Sequence, residues 1–226
     1  MSQRRTAKIS LKKQPQQARS TELVATILDA AVQVLAKEGA NRFTTARVAE
    51  KAGVSVGSLY QYFPNKAAIL FRLQCDEWRQ TTEMLRTILQ DGGEAPDDRL
   101  RTLVHVFLRS ECEEAAVRIA LDDAAPLYRD APEALEAKAA ADRVFSAFIA
   151  EYLPGLTDEK RKVAADLIIA TLTSVGKQFS ETPRIASEVD AYADAMADMF
   201  SSYLAALIRQ PAGDPGPGPG PGRAVA

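Results

Sequence analysis

Between residues 44 and 66 the chain reads TTARVAEKAGVSVGSLYQYFPNK. Hydroxyls (Thr45, Ser55, Ser58, Tyr60, Tyr62), an amide (Gln61) and an amine (Lys66) crowd around two apolar anchors, Leu59 and Phe63. No nucleophile–base pair, phosphate-cradling loop or metal-ligand cluster stands out anywhere in the chain. A single histidine leaves little for acid–base work. His105 and Cys112 are seven residues apart, about 10 Å along a helix axis, too far to share one ion. We therefore expect no metal, no cofactor and no enzymatic activity. What these groups do well is hydrogen-bond: hydroxyls and an ammonium suit phosphate oxygens, and small side chains and amides suit base edges. Gly57 would let the backbone come close to either.

Those groups need elements to hold them. Thr44 and Thr45 are favourable N-cap residues for a short helix, along which Val48 and Ala49 face inward, and Gly53 allows the turn that follows. Ser55 caps a second short helix, SVGSLYQYF, which Pro64 ends. Two short helices across a glycine turn make a helix-turn-helix, whose second helix can enter a major groove. A preceding helix spans about Ser20 to Glu38 and stops at Gly39, with Leu23, Ile27, Ala30, Ala31 and Val34 as its apolar stripe. A long helix follows from Asn65 or Lys66 to about Leu89. Further helices open at PDDRLRTL and span about 133–152, 158–180 and 186–209, with breaks at DGGEAP, Pro126, DAP and LPGLTD.

The expected fold is all-α, about nine helices, with a three-helix helix-turn-helix domain ahead of a larger helical domain for ligand binding and dimerisation. The boundaries are a basic disordered arm (1–19), the helix-turn-helix domain (20–66), the larger helical domain (67–210) and a disordered Pro/Gly tail (211–226).

The net charge of −2 conceals a split. Residues 1–66 hold 11 Lys/Arg against four Asp/Glu, whereas the rest hold 17 against 26. The first 19 residues carry six basic side chains and no acid. A polyanion partner for one end follows from this asymmetry. No run reaches about 18 apolar residues, so no membrane span is expected. Two isolated cysteines, Cys75 and Cys112, fit a reducing cytoplasm. The run ECEE (111–114) reads as a solvated acidic face.

The stretch FTTARVAEKAGVSVGSLYQYFPNK (43–66), with AVQVLAKEGANRFTT (31–45) before it, resembles the DNA-binding signature of the tetracycline-repressor (TetR) family of bacterial regulators. The resemblance covers about residues 20–70. It implies that Thr45, Tyr60, Tyr62 and Lys66 hold phosphates, while Val56, Gly57, Ser58 and Gln61 lie along base edges beside Ser55. Ala46 departs from relatives that carry a longer base-reading side chain there, a task left to Arg47. The implied partner is a double-stranded, near-palindromic operator, bound by a homodimer as a repressor. An activator of the same fold, or a helical scaffold acting without DNA, are the alternatives.

The sequence supports a dimer on separate grounds, because the last two helices are apolar on nearly every face. Leu167, Ile168, Leu172 and Val175 on one, and Met196, Met199, Phe200 and Tyr203 on the other, are the candidate interface. The resemblance further implies an inducer pocket for a largely apolar small-molecule effector. Its candidate lining is Cys75, Trp78, His105, Phe107, Leu108, Cys112, Phe145, Phe148 and Thr171.

Overall fold

Side-chain caps fix several of the helix starts. Thr44, Ser55, Asn65 and Thr157 each accept from the backbone N–H three residues on, at 3.3, 3.0, 3.0 and 3.4 Å, satisfying a donor that has no partner within its own helix. Pro96 and Pro132 open two further helices, where a missing N–H costs nothing. The computed structural model describes Ile9, residues 18–127 and residues 131–209, and every regular element among them is helical. The elements are α1 (Ala18–Arg42), α2 (Thr45–Lys51), α3 (Val56–Tyr62), α4 (Lys66–Leu89), α5 (Pro96–Glu113), α6 (Ala115–Ala124), α7 (Pro132–Tyr152), α8 (Asp158–Ser180) and α9 (Ala186–Arg209). Apart from Ile9, Ala18 and Arg19, the expected basic arm lies outside the described residues, as does the Pro/Gly tail. No described helix is long and apolar enough to cross a membrane.

Two glycines do what other residues would do only under strain. Gly39 sits at φ 71°, ψ 171°, breaking α1 one residue past the expected end, and Arg42 is reached only after that kink. Gly53, at φ 66°, makes the turn between α2 and α3, held by Val54 N donating to Ala49 O at 3.0 Å.

Two apolar cores share α4. The first gathers Ile27, Ala31 and Leu35 of α1, Val48 of α2, Leu59 of α3, Phe43, Phe63 and the opening turns of α4. Ala120, Leu121 and Ala124 of α6 complete it. The second packs α5, α7, α8 and α9 around Leu103, Phe107, Phe148, Ile168 and Phe200, with Leu89 closing it from the end of α4. Arg99, only 4% exposed, ties that end down. Its guanidinium donates to Leu89 O at 2.6 Å, pairs with Glu151 of α7 and lies 5.5 Å from the Phe148 ring. Along the α5–α9 seam, Arg101 pairs with Asp194 (3.1 Å) and Asp198, His105 with Asp194 (3.0 Å) and Arg109 with Asp190 (3.0 Å).

Replacing Arg99 by Ala removes a buried charge-assisted bond and the cap on the α4 terminus. The expected loss is about 2 kcal/mol, read as a melting point lower by roughly 4–8 °C in thermal denaturation.

Candidate functional site

α3 lies against the first core through Leu59 and Phe63, both fully buried, and presents Val56, Gly57, Tyr60 and Gln61 outward. Across the turn, Thr45 Oγ1 and Tyr60 Oη lie 3.1 Å apart, so a hydrogen bond joins α2 to α3 at the exposed surface. Ser55 Oγ caps α3 and also meets Ser58 Oγ at 2.8 Å. A Cβ added to Gly57 would meet only Ser55 Oγ at 3.7 Å, so that backbone faces open space. Lys66 is exposed at the first position of α4, beside the positive end of that helix. Exposed hydroxyls and an open backbone thus lie along α2 and α3, with an exposed ammonium at the start of α4.

Two residues expected at the DNA contact are engaged within the chain. Tyr62 is buried, 6% exposed, and packs into the first core, because α3 turns it inward beside Leu59. Arg47 is held by Glu38 of α1 and donates to Arg42 O at 3.2 Å, so its guanidinium braces the kink after Gly39.

In the larger domain two cavities adjoin. A chamber of about 280 Å³ is lined by α4, α5, α6, α7 and α8, and a groove of about 590 Å³ lies between α4 and α7, with Ile9 on its wall. Trp78, Thr82 and Ala137 line both. Of the expected pocket residues, Trp78 and Phe107 line the chamber, and Cys75 and Trp78 the groove. Leu108, Phe145 and Phe148 are instead core residues, each at most 2% exposed. His105 turns outward to Asp194, and the half-buried Cys112 and Thr171 line neither cavity. Burial, more than neighbouring Asp76, raises the Cys75 thiol to about 11, so it stays protonated and unreactive.

The polar groups of the chamber were missed from sequence. Arg118 of α6 donates to Glu77 of α4 (2.6 Å), Glu111 of α5 (2.9 Å) and Glu114 (3.0 Å). Glu77 also accepts from Gln74 and Thr81, both at 3.0 Å. The reading of ECEE as a solvated face therefore fails for Glu111, which is 7% exposed. A one-turn spacing of Gln74, Glu77 and Thr81 was the available signal. Nothing local could have shown Arg118 arriving from 41 residues away.

The apolar faces of α8 and α9 divide. Ile168, Leu172, Met196 and Phe200, expected at an interface between copies, are buried in the second core of their own chain. Leu167 (49% exposed), Met199 (50%) and half-buried Val175 and Tyr203 remain toward the outside, joined by Val163 (57%).

Residues 27–73 match the family described as bacterial regulatory proteins, tetR family, and residues 95–207 match the tetracyclin repressor-like C-terminal domain. The fatty acid metabolism regulator protein of Bacillus subtilis is 34% identical over 71 residues, 31% of this chain and 37% of that one. The HTH-type transcriptional regulator BetI of Cronobacter sakazakii is 29% identical over 142 residues, 62% of this chain and 70% of that one. The chain spans between 37% and 42% of the length of the first curated relatives it matches. The crystal structure of FadR from Bacillus subtilis in complex with stearoyl-CoA superposes with a TM-score of 0.63 at 18% identity, covering 79% of this chain and 97% of that one.

Burial raises the Glu111 carboxyl above its ordinary value of 4.5, and Arg118 only partly opposes this. A carboxyl shifted upward supports the fold most below its ordinary value, and that support drains away as pH climbs through the raised one. Denaturant titrations of the parent and Glu111→Gln at pH 4 to 8 are accordingly expected to show the parent's relative stability falling with pH.

Proposed function

We propose that the chain, which belongs to the tetR family of bacterial regulatory proteins, is a DNA-binding transcriptional regulator rather than an enzyme and acts as a homodimeric repressor that a small molecule releases from a near-palindromic operator. The proposed site of action is the cytoplasm. In this reading α3 enters the major groove. Thr45, Tyr60 and Lys66 hold phosphates, and Val56, Gly57, Ser58 and Gln61 follow the base edges, with Ser55 shaping the entry of the helix. Tyr62 and Arg47 serve as supports beneath them.

One observation carries the ligand-responsive part. α6 has two working sides: Ala120, Leu121 and Ala124 pack with α1 in the first core, while Arg118, Ile119 and Asp122 line the chamber. A molecule entering the chamber bears on a helix that the DNA-binding head rests on. α4 offers a second route, since its opening turns belong to the head and its middle lines both cavities. Recognition helices of a dimer must match grooves about 34 Å apart, so a small rotation of the heads lowers operator affinity. A coupling of about 1–3 kcal/mol is enough. The relative whose structure holds stearoyl-CoA makes a ligand with an apolar portion a fitting effector class.

For the dimer, Val163, Leu167, Ala170 and Ser174 recur at helical spacing along the outer side of α8, opposite its buried side. With Met199 and Tyr203 of α9 they form an apolar surface that a second copy covers in this reading.

Fragments of the host genome retained by the purified chain are expected to share an inverted repeat; fragments without common sequence would overturn specific operator binding. A double-mutant cycle with Thr45→Val and Tyr60→Phe should give single losses that do not add, because each hydroxyl orients the other; binding is measured by fluorescence anisotropy on labelled duplex. Leu167→Asp should convert a dimer into a folded monomer in sedimentation experiments and weaken operator binding at least about tenfold. A parent chain that is already monomeric would remove the dimer from this account.

A further inference from the structure

We infer that the paired cavities select an amphipathic organic cation, its protonated amine seated against Glu111 in the chamber and its apolar body passing Trp78 into the α4–α7 groove. This rests on the effector reading above and adds to it the ligand's charge. The argument starts with the ion cluster. Arg118 gives one nitrogen to both Glu77 and Glu111 and spends its remaining donors on Glu114. Glu77 receives two further hydrogen bonds, from Gln74 and Thr81. Glu111, only 7% exposed, receives that single one at 2.9 Å. The deep wall of the chamber therefore holds two carboxylates around one guanidinium, an excess of one negative charge. The remaining charges that line it do not correct this. Asp122 and Lys177 pair with each other at 2.6 Å near the rim, and Lys138 is exposed to solvent, where its charge is screened.

A second observation, independent of charge, concerns the hydroxyl that the two cavities share. Thr82 is 9% exposed, lines both cavities and makes no hydrogen bond to any described residue. Among the described residues the buried polar atoms without a partner are Arg99 Nε, Arg161 Nε and Ser201 Oγ, so the Thr82 hydroxyl opens onto the cavities, where the head group of an occupant can meet it. Beside it stands Trp78, whose ring can face a cation or pack on an alkyl chain. Gly176 completes the shape: a Cβ there would lie 3.0 Å from Phe107 Cε1 and 3.5 Å from Glu111 Cγ, so α8 reaches the carboxylate wall only because that residue has no side chain. An ammonium meets this chamber as a donor and as a further positive charge, whereas a carboxylate or phosphate would meet Glu111, which shares its one guanidinium nitrogen with Glu77.

The test uses three probes with one tail, octylamine, 1-octanol and octanoate, titrated into the full chain at pH 7. Trp78 is the single tryptophan and reports from the boundary of the two cavities. Octylamine should bind at least about tenfold more tightly than octanol, with octanoate weakest, as a charge-assisted hydrogen bond requires. Glu111→Gln should bring octylamine to within about threefold of octanol and leave octanol unchanged. Thr82→Val, a near-isosteric change that tests the same site if the first variant folds poorly, should weaken octylamine by about threefold to tenfold. Octanoate binding as tightly as octylamine, a preference for the amine that survives both variants, or no binding by any probe each overturns the assignment. Operator affinity measured in parallel separates the two claims. Amine-selective binding that leaves operator affinity unchanged upholds the site and sinks the effector role. Release of DNA by all three probes alike upholds that role and sinks the charge selectivity.

Discussion

Everything in this molecule hangs on α4 being a single uninterrupted helix that belongs to two cores. Its 24 residues make a rod about 36 Å long. Asn65 caps one end next to α3, and Arg99 holds the other end by the carbonyl of Leu89. Between these fixtures its side chains change allegiance, from Ile69, Leu70 and Leu73 in the head to Leu89 in the helical domain. A close-packed interior has low compressibility and passes strain on. In the proposed mechanism a displacement at one end would be carried to the other, and to α6, which Arg118 and Glu77 clamp to the middle of α4.

Charge acts differently according to depth. The pairs along the α5–α9 seam are largely exposed, each worth about 0–1 kcal/mol. They cannot hold that seam; Leu100, Leu103, Val104 and Phe107 against Val189, Ala193, Met196 and Phe200 do so by removing apolar surface from water. The Arg118 cluster is another matter. Its guanidinium and the carboxylates of Glu77 and Glu111 are each at most 19% exposed. Losing one partner there leaves a largely buried charge without its counter-ion, a cost of up to about 3–5 kcal/mol.

The helices were readable from sequence because their starts and stops are written locally. Thr44, Ser55, Pro96, Gly39 and Gly53 each act within three or four residues of their own position. The helix-turn-helix was readable for the same reason. What could not be read is partnership across the chain. Periodicity says that α3 has an inner and an outer side, but it left Tyr62 on the wrong one. It also could not tell, for α8 and α9, which apolar residues serve their own core and which are left outside; Ile168 and Leu167 are neighbours in sequence with opposite fates. The cluster at Arg118 joins residues from three helices, and its members look like ordinary surface charges until the fold brings them together.

The aspartates of α9 have a consequence for assembly. Asp190, Asp194 and Asp198 form one stripe, occupied by Arg101, His105 and Arg109 of the same chain, while Met199 and Tyr203 point elsewhere around the helix. Two copies that met along those stripes would press carboxylate against carboxylate, with their own basic partners already taken. In the proposed dimer, repulsion would act as a gatekeeper, disfavouring one flank of the last helix and leaving the methionine–tyrosine flank as the admissible mate.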